Sequence, residues 1–106
     1  MTKSKAPADT IAQVQSDLGV QRERLQDAQE QVDELERQWS VLCLAQDVDG
    51  ADNGADIATV EAAQLVASRE LARANNAISE LEVRLQAARE EAERQRYVRD
   101  FSRLQD

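Results

Sequence analysis

Two stretches of this chain place apolar residues in an unbroken alternation of three and four, and that pattern constrains the fold more than any other feature. The first track is Ile11, Val14, Leu18, Gln21, Leu25, Ala28, Val32, Leu35, Trp39 and Leu42. The second is Ile57, Val60, Gln64, Ala67, Leu71, Ala74, Ile78, Leu81, Leu85, Ala88 and Ala92. A track that advances seven residues every two turns is the seam of a coiled coil, with its members at heptad positions a and d. A strand would alternate every second residue, and neither track does.

The segment between the tracks reads as a turn. Gly50 and Gly54 can adopt positive φ, and Asp47, Asp49, Asp52, Asn53 and Asp56 can hydrogen-bond to their own backbone. A short turn between two seams of similar length predicts antiparallel packing. The fold class expected is therefore all-α, a two-helix antiparallel coiled-coil hairpin. Its parts would be an N-terminal tail over 1–7, helix 1 over 8–47, an acidic turn over 48–55 and helix 2 over 56–105, unpaired from about residue 93.

Pairing outward from the turn sets Leu42 beside Ile57, Leu35 beside Gln64, Ala28 beside Leu71, Leu18 beside Leu81 and Val14 beside Leu85. Several layers join a large residue to a small one, which lets the side chains interdigitate. Asp17 and Arg84 are expected to flank the seam with opposite charges. Thr10 with Gln13 has the spacing of a capping box for helix 1, and Asp56 is the expected N-cap of helix 2. Gly19 costs a helix interior about 1 kcal/mol relative to alanine, but the seam keeps its phase across it.

Composition supports this reading. Apolar residues make up 42% of the chain but aromatics only 3%, a profile rich in helix formers and poor in sheet formers. The net charge of −8 argues against general affinity for nucleic acid or an anionic membrane. No apolar run approaches the ~20 residues that span a bilayer, and no apolar stretch follows the N-terminus as in a signal peptide. A lone cysteine, Cys43, forms no internal disulfide and suits a reducing compartment, so the cytoplasm or the interior of a particle is the expected location.

No catalytic equipment is legible. The chain has no histidine, its serines lack a base, and no glycine-rich phosphate loop occurs. The turn superficially resembles a calcium loop, yet counting from Asp47 the sixth position is Asp52, not glycine. The twelfth is Ala58, not glutamate, so no metal is expected there. The expectation is a non-enzyme with no cofactor and no small-molecule substrate.

Apolar residues off the seam carry the remaining information. Near the turn these are Val41, Leu44 and Val48 on helix 1, and Leu65 and Val66 on helix 2. At the far end they are Tyr97, Val98, Phe101 and Leu104, past the point where helix 1 can reach them. Arg94, Arg96, Arg99 and Arg103 accompany this second group, while Asp47, Asp49, Asp52, Asp56 and Glu61 surround the turn without a basic residue among them. Such residues are the expected partner-binding surface, with the arginines as its electrostatic component.

Two glutamines and several alanines leave the single seam thin, so the hairpin is expected to complete its core by self-association or by docking on a protein partner. The function class this indicates is a non-catalytic interaction or assembly protein: a small accessory, adaptor or structural subunit, as in a phage or bacterial assembly. An acidic inhibitor covering a basic nucleic-acid-binding surface is the alternative. A weak nucleic-acid contact through the arginine tip comes third, opposed by the interleaved Glu90, Glu91, Glu93 and Asp100.

Overall fold

The computed structural model describes the backbone of residues 7–105 and the side chains of residues 9–104. The expected N-terminal tail lies outside the described residues, apart from Pro7. Two helices account for nearly everything described: α1, Pro7–Asp49, and α2, Gly54–Gln105. Residues 50–53 join them, and they pack as an antiparallel hairpin.

The seam read from the sequence is the seam observed. Among the described residues the seven buried side chains, Val14, Leu18, Ala28, Leu35, Ala67, Ala74 and Ala88, all belong to the two tracks. The other seam residues are half-buried, with one exception: Trp39 is 38% exposed. Its indole is larger than a hairpin layer can cover. It rests at the edge of a groove with Val32, Glu36, Gln64 and Ser68.

The chain forms two compact units, Arg22–Asn76 and the combination of Met1–Gln21 with Ala77–Asp106. The first of these contains the turn and is a hairpin in its own right. Ala67 and Ala74 are buried here, Ala74 completely. Arg24 reaches across to Glu70 at 2.7 Å. Both residues sit at heptad position g, and in an antiparallel pair g faces g, so this bridge reports the register directly. In the second unit Leu18 is the most deeply buried large side chain, at 2% exposed. Asp17, Val20 and Gln21 from α1 line a groove there with Ala77, Glu80, Leu81 and Arg84 from α2.

The turn is shorter than the sequence suggested because both helices run further into it. Gly50, at φ 71°, takes the left-handed conformation that ends a helix, and the Ala51 amide donates back to the Ala45 carbonyl at 3.1 Å. Asn53, not Asp56, occupies the N-cap position. Its carbonyl accepts from the Ile57 amide at 3.0 Å, and its side-chain Nδ2 donates to the Leu42 carbonyl at 2.9 Å. That second bond ties the start of α2 to α1, a contact Asp56 could not make from one turn further on. Asp56 lies instead in the first turn of α2, where its charge suits the helix dipole.

The start of α1 differs likewise. The chain is already helical at Pro7, the first described residue, so Thr10 falls inside α1. Gln13 donates to Asp17 at 3.0 Å, one turn further along the helix. The helix passes through Gly19 without interruption. Arg84 is bound by Glu80 at 3.1 Å, one turn away on its own helix, and not by Asp17. A neighbour at i−4 on the same helix is already in reach, whereas a partner across the seam must be spanned to.

Candidate interaction surfaces

A hairpin covers positions a and d and half-covers e and g, leaving b, c and f to water. Val41, Leu44 and Val48 fall at c, f and c of α1, and their spacing of three then four puts them in one line along its outer face. All three are exposed. Leu65 and Val66 are exposed as well, but they do not extend that line. Val41 borders a groove with Glu34, Arg37, Gln38, Leu42 and Asp56, whereas Val66 borders another with Arg24, Ala28, Ala63 and Glu70. The sequence grouping of these five residues thus separates into a stripe on α1 and a pair on α2.

On α2 the heptad continues past Ala92, and Tyr97, Phe101 and Leu104 take positions f, c and f. This second stripe also points directly away from the seam. Every described residue from Glu93 to Leu104 is exposed. Phe101 is 51% exposed and Leu104 86%. Tyr97 and Phe101 stack against each other, with ring centroids 6.4 Å apart and planes inclined by 13°. Each ring thereby stiffens the other and reduces the side-chain freedom a partner would have to quench. Val98, at position g, is exposed beside them. Val20 and Val83 are exposed too; Val20 borders the groove with Ala77 and Leu81, and scattered exposed valines are ordinary.

Electrostatics divide the two stripes. Arg94 is held by Glu91 at 2.6 Å, whereas Arg96, Arg99 and Arg103 make no salt bridge among the described residues. Asp47 and Asp49 lie in and beside the last turn of α1, which carries no basic residue. These carboxylates therefore stand at the negative end of the helix dipole, where a cation would be favoured.

The titration shifts in the structure have local causes. A hydrogen bond from Arg24 holds the Glu70 carboxyl below the usual range, and Glu34 and Glu91 are lowered in the same way by Arg37 and Arg94. Burial pushes the Cys43 thiol up, with Asp47 and Glu61 adding to the shift, which suppresses its thiolate. Among the described residues, no group of three or more acidic or cysteine side chains converges as metal ligands would. Among the same residues, no helix is long and apolar enough to cross a membrane.

Comparison with family models, with curated proteins and with solved structures gives no match, so the surface chemistry of the chain itself carries the functional argument.

Proposed function

We infer that the chain is a non-catalytic interaction and assembly protein that docks on helical protein surfaces through the outer faces of its two helices. It would serve as a small accessory, adaptor or structural subunit. The observation that supports this reading most is the Tyr97–Phe101–Leu104 stripe: three large apolar side chains in line, exposed, with two rings already stacked. Aligned apolar anchors at helical spacing match a helix-in-groove contact, and their desolvation is what such a contact gains. The thin seam points the same way, because a hairpin whose buried residues are mostly alanine gains stability from any surface that covers it.

The test is to purify tagged chain from its source cells beside Phe101→Ser and Leu44→Ser variants, after confirming unchanged melting. A stoichiometric protein retained by the wild type and lost in the variants supports the reading. Recovery of nothing, or of the same proteins with every variant, overturns it. Salt separates this from the acidic-inhibitor reading: an apolar contact survives ~500 mM salt, whereas a charge-mimicking complex dissociates steeply.

A further inference from the structure

The bend between α1 and α2 has a length at which the seam would survive straightening. Leu42 ends the first track and Ile57 opens the second, 15 residues later. Fifteen residues of straight α-helix advance about 60° past whole turns, against about 40° for the ordinary four-residue step from d to a. Each residue added or removed would rotate the second stripe by about 100°. Straightened, the seam would run Leu42, Gln46, Asp49, Asn53 and Ile57, in steps of four, three, four and four. The single extra step of four is a stutter, which a coiled coil absorbs by slight local unwinding.

Little holds the bend itself. Residues 50–53 are non-helical, and Gly50 alone takes the left-handed conformation, at φ 71°. A Cβ there would meet nothing within 4 Å, so the conformation, not the space, calls for glycine. Asn53 ties the bend to the Leu42 carbonyl but leaves its own Oδ1 buried without a partner among the described residues. In the unit around the bend, the Arg24–Glu70 bridge and the burial of Leu35 and Ala67 come from one helix lying on the other. The α2 of a second copy, in the same register, supplies the same contacts.

We propose that the hairpin exchanges helices with a second copy of this chain, straightening at residues 50–53 into an antiparallel dimer in which α1 of each chain packs on α2 of the other. The second copy is the occupant because it carries the α2 seam that α1 already fits. Each layer keeps its partner, now in trans. New layers form at the centre, where Gln46 faces Asn53 of the second copy and the two Asp49 carboxylates approach across the two-fold axis.

That last pair sets the balance. In the hairpin Asp49 ends α1 and is exposed. In the dimer it would meet its own counterpart at the seam, beside Asp47, Asp52 and Asp56 of both chains, with no basic residue between Arg37 and Arg69 to compensate. The hairpin is therefore the resting form at low ionic strength, and salt favours exchange, the reverse of a contact held by opposite charges. None of the outward apolar stripes takes part, so the exchange stands apart from the docking reading above.

Sedimentation velocity and small-angle scattering of the full chain at about 0.1 mM test this, each sample being unfolded in urea and refolded so that exchange reaches equilibrium. The wild type is expected to be mainly monomeric at ~50 mM salt and to gain dimer at ~500 mM. Gly50→Ala removes the left-handed residue from two bends at once and is expected to raise the dimerisation constant at least about thirtyfold. With Asp49→Ala in the same chain, a dimer is expected at either salt concentration. That dimer must be long, because a helix from Pro7 to Gln105 spans roughly 150 Å, about twice the length of α2. Exchange in trans is read from Arg24→Glu and Glu70→Arg, each placed in a Gly50→Ala chain. Alone, each sets like charges together, whereas a mixed dimer restores both bridges, so an equimolar mixture refolded together should give more heterodimer than chance pairing. Overturning results are Gly50→Ala and the double variant both helical by circular dichroism yet monomeric, a dimer no longer than the monomer, or a mixture without excess heterodimer.

Discussion

Replacing Gln21 with leucine is expected to stabilise the hairpin by about 1–2 kcal/mol, and the reasoning can be followed atom by atom. Gln21 holds a seam position between Leu18 and Leu25, and its Oε1 is buried without a hydrogen-bond partner among the described residues. A buried acceptor left unpaired costs about 1–3 kcal/mol. The residue as a whole is only half-buried and opens on the groove beside Leu81 and Ala77, which places the cost at the lower end of that range. Leucine has similar bulk, a slightly better helix propensity and no acceptor to strand. The gain should raise the melting temperature by roughly 5–10 °C in a chain of this size. Urea unfolding followed by helical circular dichroism measures it, and an unchanged slope against urea would confirm that the exposed surface is unaltered. Destabilisation by Gln21→Leu would refute the argument, because it would mean that the acceptor is satisfied in solution. A second consequence is checkable in the same sample. Polar residues at seam positions restrict register and oligomeric state, so the variant is expected to show additional associated species by light scattering.

Two glycines should respond in opposite directions to alanine although a Cβ at either would touch nothing within 4 Å. Gly19→Ala, in the interior of α1, is expected to add about 0.5–1 kcal/mol, whereas Gly50→Ala at φ 71° should lose about 1–2 kcal/mol; equal effects in the same denaturation assay would reject the backbone explanation. Asn53→Ala removes the side-chain bond to the Leu42 carbonyl together with a buried Oδ1 that has no partner among the described residues, so it is expected to cost less than about 1 kcal/mol, and a stabilised variant would deny Asn53 its role in fastening the turn. For Glu70, whose carboxyl is depressed by Arg24, the contribution exists above the ordinary carboxylate range and is lost as pH falls through the lowered value. Glu70→Gln should therefore be less stable than the wild type at pH 7 and indistinguishable from it in strong acid, with the difference also shrinking in high salt. A constant gap across the titration would assign the effect to packing.

The fold was legible because periodicity needs no knowledge of the partner. Positions as different as Ala74, Gln21 and Leu18 all lie on the seam, and the alternation identified each without regard to its chemistry. Local competition was harder to read. Asp56 and Asn53 are both good capping residues, and what decided between them was the Leu42 carbonyl, an acceptor the sequence cannot position. Arg84 had two acidic candidates, and only coordinates show that Glu80 on its own helix takes it. Arg24 and Glu70 could have been paired from their shared heptad position, since g meets g in an antiparallel coil. Trp39 failed in the other direction: its register was right, but no layer of this hairpin is wide enough to bury an indole. The two candidate stripes were visible as apolar residues out of phase with the seam, yet their straightness and the ring stacking of Tyr97 on Phe101 emerged only once the helices were built.

The four-residue connection between α1 and α2 also sets the order in which the molecule can assemble. Asn53 and Leu42 meet across a separation of 11 residues, whereas Arg24 and Glu70 are 46 apart, and closing a loop becomes less favourable as it lengthens. Zippering is therefore expected to start at Gly50 and travel outward, so that the Leu42–Ile57 layer near the bend forms first and the layer at Val14 forms late. A nascent chain leaving the ribosome can bury nothing of α1 until the first turns of α2 have followed it out. During that interval Leu18, Leu25 and Leu35 are open to any chaperone within reach, and the bend is the point at which that exposure begins to end.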